Sequence, residues 1–316
     1  MNKSNKTIVI GVITCKRPQG LERLLRSLVV QKLDASLVEK FSWKIHVIDN
    51  DLTGENAKVV KHIRMETAQE VSLFEEPTPG IPAARNASVR AALQENADGL
   101  IFVDDDEEAA EGWLAAMLDL WQGTNADIIT GPVHAHLPSD APYWAKASRA
   151  FEKDKALPRG EKMRIAYTNN TLVSKKVLAK LGASFDHRFQ YTGSSDLHYF
   201  LCAVKAGFEI IWCPDALMVE YVPLSRTRFG WILKRGFRSG SGETRAYIFI
   251  NGLREAIPGI LYRAAARIGL GLVQLIGFPL TGWNGVIVGS RRVSSGIGGL
   301  MGLFGVGHQE YRKIHS

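Results

Sequence analysis

Short β-branched apolar runs alternate with helix-patterned segments through the first half of the chain, and that alternation restricts the fold more than any other feature. The runs are TIVIGVIT (7–14), WKIHVID (43–49), VSLFEE (71–76), GLIFVD (99–104) and ADIITGPV (126–133). Between them, PQGLERLLRSLVVQ (18–31) and IPAARNASVRAALQEN (81–96) repeat apolar residues at helical spacing, with Pro18 placed where a helix begins. Such alternation predicts an α/β class, a mostly parallel sheet covered by helices. In these sheets ligands bind outside the carboxyl ends of the strands.

That rule gathers the chemistry-bearing residues on one rim. Thr14, Lys16 and Arg17 follow the first strand, Asp49 and Asn50 end the second, the 77–86 loop follows the third, and Asp104, Asp105 and Asp106 end the fourth. The stretch IFVDDDEEAAEGWL (101–114) crowds five carboxylates into one short turn. Like charges this close repel, and each loses water if the turn is pinned against a core. Two readings compensate for that cost. One is a solvated helix start over Glu107 to Trp113, where acidic residues are favoured. The other is a hard-cation site, since Mg2+ and Mn2+ prefer carboxylate oxygen and bridge to nucleotide phosphates.

Further along, MRIAYTNNTLVS (163–174) predicts a strand, SKKVLAKLG (174–182) a short helix closed by Gly182, SSDLHYFLCAVKAG (194–207) a helix closed by Gly207, and FEIIWCP (208–214) a strand. Residues 134–162, rich in Pro, Ala and charge, read as a loop over the site. These patterns suggest a catalytic domain over 1–225 and a distinct segment over 226–316. The three cysteines, Cys15, Cys202 and Cys213, are odd in number and widely spaced, which argues against a disulfide framework or zinc site and for a reducing compartment. The N-terminal MNKSNKTIVIGVITCKRP lacks a small-residue cleavage site and reads as a first strand, implying a cytoplasmic domain.

The net charge of +7 conceals a division. Residues 226–316 hold 13 Lys or Arg against 3 Asp or Glu, whereas residues 1–225 hold 26 against 29. A basic segment can meet nucleic acid or an anionic membrane surface. Two uncharged stretches within it, 268–290 and 294–309, favour the membrane and argue against nucleic acid. RTRFGWILKRGFRSGSGETRAYIFI (226–250) suits an interfacial helix with one apolar and one cationic face. The 268–290 stretch is long enough to span a bilayer, yet Pro279, Asn284 and six glycines interrupt it and Arg263, Arg267, Arg291 and Arg292 flank both ends. It therefore reads as dipping in and returning, or lying in the interface, rather than crossing once. The alternative is a Gly-rich helical pair packed on the soluble domain.

Taken together, VITCKRP, VIDND, PGIPAARN, FVDDDEE and FDHRFQYTGSSDLHYFLCAVKAG, in this order over roughly residues 7–240, resemble family 2 glycosyltransferases. These are inverting enzymes of the GT-A fold that use nucleotide-sugar donors. The resemblance places Thr14, Lys16, Arg17 and Asp49 around the base and ribose of a UDP-sugar, an Asp being able to accept the uracil imide N–H. Arg85 matches the arginine of the ARN motif, whose planar guanidinium can pair with base edge or phosphates. The DxD pattern implies that Asp104 and Asp105 face the nucleotide and that Asp106, with Asp104, ligates Mn2+ or Mg2+, which neutralises charge on the departing UDP. Glu107 and Glu108 are left as solvated helix-start residues.

Inversion needs a base on the acceptor side. TGSSD aligns with the ED or SD pair that supplies it, which makes Asp196 the base, with Ser195 where many members carry Glu. Some members place a metal-binding His on a late strand; here ALMVEYVP offers Glu220, an oxygen ligand in its stead. Arg226, Arg228, Arg235 and Arg238 resemble a basic stretch that closes over the diphosphate, and anionic lipid contact explains them equally. Asn169, Asn170 and the 134–162 loop are candidates for sugar choice. The similarity around EYVPLSRTRFGWILKRGFRSG is closest to bacterial exopolysaccharide glycosyltransferases of the succinoglycan glucosyltransferase type, which implies a lipid-linked saccharide acceptor and a place at the cytoplasmic face of the inner membrane. Two rival classes stand beside this one. A nucleotidyltransferase would present a Gly-rich phosphate loop, which TCKRPQG is not; a non-catalytic membrane adaptor would have no use for Asp196.

Overall fold

The computed structural model describes residues 5–148, 150–151 and 157–307. The main sheet is built from β1 (Lys6–Thr14), β2 (Phe41–Asp49), β3 (Val71–Glu75), β4 (Gly99–Asp104), β6 (Ile128–Thr130), β8 (Lys162–Met163), β9 (Thr171–Ser174) and β10 (Ile210–Trp212), and a small sheet from β5 (Glu107–Ala109), β7 (Val133–His136) and β11 (Met218–Tyr221). The main order is β3-β2-β1-β4-β9-β6-β10-β8. Strands β3, β2, β1 and β4 run parallel, so Thr14, Asp49 and Asp104 leave the sheet at the same edge. Strand β9 is antiparallel to both β4 and β6 and marks where the second half of the sheet begins.

Helices cover both faces. They are α1 (Pro18–Val29), α2 (Ala35–Val38), α3 (Glu55–Glu66), α4 (Ile81–Gln94), α5 (Trp113–Thr124), α6 (Tyr143–Ala147), α7 (Lys175–Leu181) and α8 (Ser195–Lys205). Alternate residues of β1 feed two cores, as the two-residue period of a strand requires. Ile8, Ile10 and Val12 pack with Leu21, Leu24, Leu25 and Leu28 of α1 and with Trp113 and Met117 of α5. Val9 faces Val89, Phe102, Phe185, Tyr199 and Phe200 on the other side. The leucines of α1 recur at the i, i+3, i+4, i+7 spacing that gives a helix one apolar stripe.

The chain divides into two compact units. Of the described residues, the first comprises 5–134, 157–185 and 199–220; the second comprises 135–148, 150–151, 186–198 and 221–307. In the second, α9 (Phe229–Asn251), α10 (Leu253–Ile276) and α11 (Phe278–Gly302) dominate. Ala145 of α6, Phe151, Val222, Ile232 and Ile287 form its core. The stretch 268–290 is not one helix: α10 ends at Ile276 with Gly277 as its C-cap, and α11 kinks at Gly282 (φ 58°, ψ −148°). The two helices run antiparallel, since Gly271 lies against the carbonyl of Gly289, and Gly285 against that of Gln274. Helix α10 is the one described helix long and apolar enough to cross a membrane, and 17% of its most apolar window is buried.

The sequence expectation for 134–162 was a loop; β7, α6 and β8 lie within or at its ends, and residues 149 and 152–156 fall outside the described residues. The expected helix start at Glu107 is corrected more sharply. Glu107–Ala109 form β5, paired antiparallel with β11 so that Glu107 stands opposite Glu220, and the helix begins only at Trp113. Glu107 is 1% exposed, so it is not a solvated residue.

Candidate active site

The end of β4 is a two-residue turn, Asp105–Asp106, leading into β5. Its two carboxylates and that of Asp104, the last residue of β4, meet two arginines. Asp105 is turned inward: Oδ2 accepts from Thr14 Oγ1 at 2.9 Å and Oδ1 from Arg17 Nη1 at 3.0 Å. The same Nη1 donates to Asp106 Oδ2 at 2.9 Å. Asp104 Oδ1 lies 3.7 Å from Nη2 of Arg85 in the first turns of α4, and the Asp104 N–H donates to Glu107 Oε2 at 3.1 Å. Burial pushes the Asp105 carboxyl up to about 6, against the opposing pull of the Arg17 charge. Burial alone would lower the Arg17 pKa; Asp105 and Asp106 more than reverse that, and it stands above its ordinary value.

Local structure explains the placement. Arg17 occupies the N-cap position of α1 ahead of Pro18 without a side-chain capping bond, and Gly20 lets the first turn approach so closely that a Cβ there would lie 2.5 Å from the Asp105 carbonyl oxygen. Lys16 is exposed with a left-handed backbone, φ 55°, and projects from the same turn.

Asp49 is buried at the end of β2, level with Thr14 in the parallel register. Its Oδ1 accepts from Asn56 Nδ2 at 2.8 Å and from the Asp51 N–H at 3.0 Å. Burial raises its pKa, opposed by the bond from Asn56. Neighbouring Asn50 ties the rim together: its amide donates to the Glu76 and Thr78 carbonyls, and its Oδ1 accepts from the Gly80 N–H, fixing the loop that enters α4. Sequence reading placed Asn50 on the rim without seeing this bracing role.

Asn170, expected to help choose the sugar, is spent on structure. It is fully buried at φ 67°; its Oδ1 accepts from Trp113 Nε1 at 2.7 Å, and its Nδ2 donates to the carbonyls of Pro132 at 2.9 Å and Ala216 at 2.7 Å. No side-chain donor of that amide is left for a ligand.

Asp196 belongs to the second unit, half-buried in the first turn of α8. Gly193 and Ser194 before it are both left-handed, and its Oδ1 accepts from the Leu197 N–H at 2.8 Å. The segment carrying it is braced by α9. Arg245 donates to Thr192 Oγ1 at 2.9 Å and to the Arg188 carbonyl at 3.0 Å, Phe249 lies edge-on to Phe189 at 5.5 Å, and Gly242 leaves room for Ser194 Oγ. In the same unit, Arg226 and Arg235 lie over the Trp231 ring at 6.0 and 5.0 Å. A cavity of about 930 Å³ lies along α1 and is lined by residues including Gln19, Arg23, Arg26, Glu108 and Glu111. None of the expected site residues lines it.

The glycosyl transferase family 2 model matches residues 9–182, more than half of the chain. The succinoglycan biosynthesis protein ExoM of Rhizobium meliloti (strain 1021) is 32% identical over 250 residues, which cover 79% of this chain and 78% of that protein. The chain belongs to glycosyl transferase family 2. Solved structures show the same GT-A fold. The mannosyltransferase PcManGT from Pyrobaculum calidifontis, in complex with GDP-Man and Mn2+, superposes with a TM-score of 0.59 at 16% identity over 95% of this chain and 88% of that one. GalNAc-T7 with UDP, GalNAc and Mn2+ does so at 0.55 and 14%, over 77% of this chain and 48% of that one.

A divalent cation implied by this family fits the aspartate turn by chemistry, because Asp104 and Asp106 offer hard carboxylate oxygens. Among the described residues no three His, Cys, Asp or Glu side chains converge into a ready-made cage, so the remaining ligands would have to come from a diphosphate and from water.

Proposed function

We propose that this family 2 glycosyltransferase is an inverting, metal-dependent enzyme that moves a hexose from a UDP-sugar to a lipid-linked saccharide in bacterial exopolysaccharide synthesis, at the cytoplasmic face of the membrane. The observation that carries the donor half of the reading is the aspartate turn itself: three consecutive carboxylates held at the carboxyl edge of a parallel sheet by Thr14, Arg17 and Arg85, level with Asp49. The name of the ExoM relative supports the exopolysaccharide assignment, and the ligands named with both solved structures support a nucleotide donor with Mn2+.

In this reading Asp49 accepts from the base, Arg85 faces the diphosphate, and Asp104 and Asp106 hold the cation. Bound there, the cation supplies Lewis-acid neutralisation of the departing diphosphate. Asp196 takes the proton of the acceptor hydroxyl as its oxygen attacks the anomeric carbon. The new C–O bond forms on the face opposite the breaking bond to phosphate, whose electron pair leaves on the diphosphate oxygen.

Support for the lipid side comes from the α10–α11 hairpin. Leu270, Val273, Ile276, Phe278, Leu280 and Trp283 are exposed around its apex, Ile276 at 80% and Leu280 at 93%. Apolar exposure of this extent marks an interaction surface, and the exposed Arg292 on the stem suits an anionic headgroup, whereas Arg263 and Arg267 pair with Glu243.

Thermal unfolding of detergent-purified protein against UDP, GDP, ADP and CMP, with and without Mn2+, tests the proposal, because a ligand of the folded state raises the midpoint by mass action. A UDP-selective, Mn2+-dependent rise is expected. A GDP-selective rise would reassign the donor to the class named with PcManGT, and no rise with any nucleotide would favour the non-catalytic adaptor.

A further inference from the structure

The aspartate turn already contains a cation. One nitrogen, Arg17 Nη1, sits 3.0 Å from Asp105 Oδ1 and 2.9 Å from Asp106 Oδ2, drawing two adjacent carboxylates onto a single positive point. The sequence resemblance assigns Arg17 to the base and ribose; its observed partners are instead the acidic turn.

Resting on the reading of the turn as a metal and diphosphate site, we propose that Arg17 is the resident counter-ion of that turn, exchanged for a divalent cation at Asp106 when a nucleoside diphosphate arrives. The two aspartates are not equivalent partners. The Asp105 side chain is 7% exposed and bonded to Thr14, whereas the Asp106 side chain is 19% exposed and that of Arg17 is 39% exposed. The exposed end of the bridge can open without disturbing the buried end. A guanidinium and a divalent ion cannot share Asp106 Oδ2 at hydrogen-bond distance without strong like-charge repulsion, so cation binding requires Arg17 to give up that contact. The guanidinium has somewhere to go: its Nη2 and Nε donate to none of the described residues, and paired donors of this geometry suit a phosphate.

The consequence is coupling. Without a nucleotide the cation competes with Arg17 and binds weakly; with one, diphosphate oxygens accept both the cation and Arg17. By reciprocity the cation strengthens nucleotide binding by the same factor. Arg17 is thus a positioning residue that sets the order of assembly.

The test is a Mn2+ titration of the full chain, reading free Mn2+ by electron paramagnetic resonance, with and without UDP, or GDP if that nucleotide proves to be the one bound. The wild type should bind Mn2+ weakly alone and at least about tenfold more tightly with nucleotide, a change of about 1.4 kcal/mol. Arg17→Gln should bind Mn2+ alone about tenfold more tightly than wild type, with the nucleotide enhancement reduced, while Arg17→Lys keeps a positive charge and the wild-type pattern. Should removal of Arg17 leave Asp105 buried without a counter-charge and prevent folding, the paired change Arg17→Gln with Asp105→Asn removes both charges and should still bind Mn2+ alone more tightly than wild type. A folded variant lacking Arg17 that binds Mn2+ alone no better than wild type, beside normal binding of Mn2+ with nucleotide to both, overturns the role of Arg17 and leaves the site intact. Failure of the wild type to bind Mn2+ with any nucleotide overturns the metal site and this inference together.

Discussion

Replacing Asn170 with Ala should be among the most damaging single changes in the chain, although no charge or large apolar group is lost. Two buried groups would be orphaned, the Trp113 indole N–H and the Ala216 carbonyl, while the Pro132 carbonyl would keep only its bond from the Met218 N–H. An unsatisfied buried polar group costs about 1–3 kcal/mol, so the side chain accounts for roughly 2–5 kcal/mol once partial relaxation is allowed. The backbone adds to this. Asn tolerates φ 67°, whereas Ala there costs about 1 kcal/mol more than Gly. Asn170→Gly should therefore be about 1 kcal/mol less destabilised than Asn170→Ala. Asn170→Asp should be at least as damaging, since it retains an acceptor for Trp113 but sets an oxygen against two carbonyls. Guanidinium unfolding followed by circular dichroism gives these differences by linear extrapolation. A loss below about 1 kcal/mol for Asn170→Ala, or no difference between Ala and Gly, would refute the assignment of Asn170 as a structural clasp.

Asp196→Asn should reduce sugar transfer by at least about 10³-fold while nucleotide-induced stabilisation stays within a degree or two of wild type; joint loss of both would count against its role as base. His46, wholly buried on β2 beside Phe74, has its pKa lowered by burial, partly opposed by Glu95. The folded state therefore favours neutral imidazole, so His46 contributes stability above its ordinary pKa of about 6.5 that is lost as pH falls through the lowered value. His46→Leu should flatten the fall in denaturation midpoint between about pH 7 and pH 5, and an unchanged pH profile would contradict this. Ile276→Glu with Leu280→Glu should reduce co-sedimentation with phosphatidylglycerol-containing vesicles at least about tenfold without altering Mn2+ and nucleotide binding. Equal sedimentation of variant and wild type would remove the hairpin apex from the membrane reading.

The central sheet was legible because its signals are local: β1, β2, β3 and β4 each show as an apolar run, and α1 carries its stripe within four turns. The rim was legible for the same reason, since strand ends show as the residues that follow each run. What escaped depended on distant partners. Glu107 reads as a helix start because its strand partner, Glu220, lies more than a hundred residues away. Asn170 looks like a spare polar residue because Trp113, Pro132 and Ala216 all come from other elements. The contact of Arg17 with Asp105 and Asp106 spans almost ninety positions, and nothing near Arg17 announces it. The second unit takes in 135–148, 150–151 and 186–198, which no composition change at residue 225 could signal.

The bracing of 186–198 by α9 changes what the C-terminal helices are for. They are not a detachable anchor: cutting the chain near residue 225 to obtain a smaller soluble enzyme would take away Arg245, Phe249 and Gly242, the groups that hold Thr192, Arg188, Phe189 and Ser194 in place just ahead of Asp196. The same helix that begins the descent to the α10–α11 hairpin also sets the posture of the proposed base. In the proposed membrane-bound state, a surface that bends or shifts α9 would therefore move the residues that lead into the proposed base while leaving every one of them in the chain.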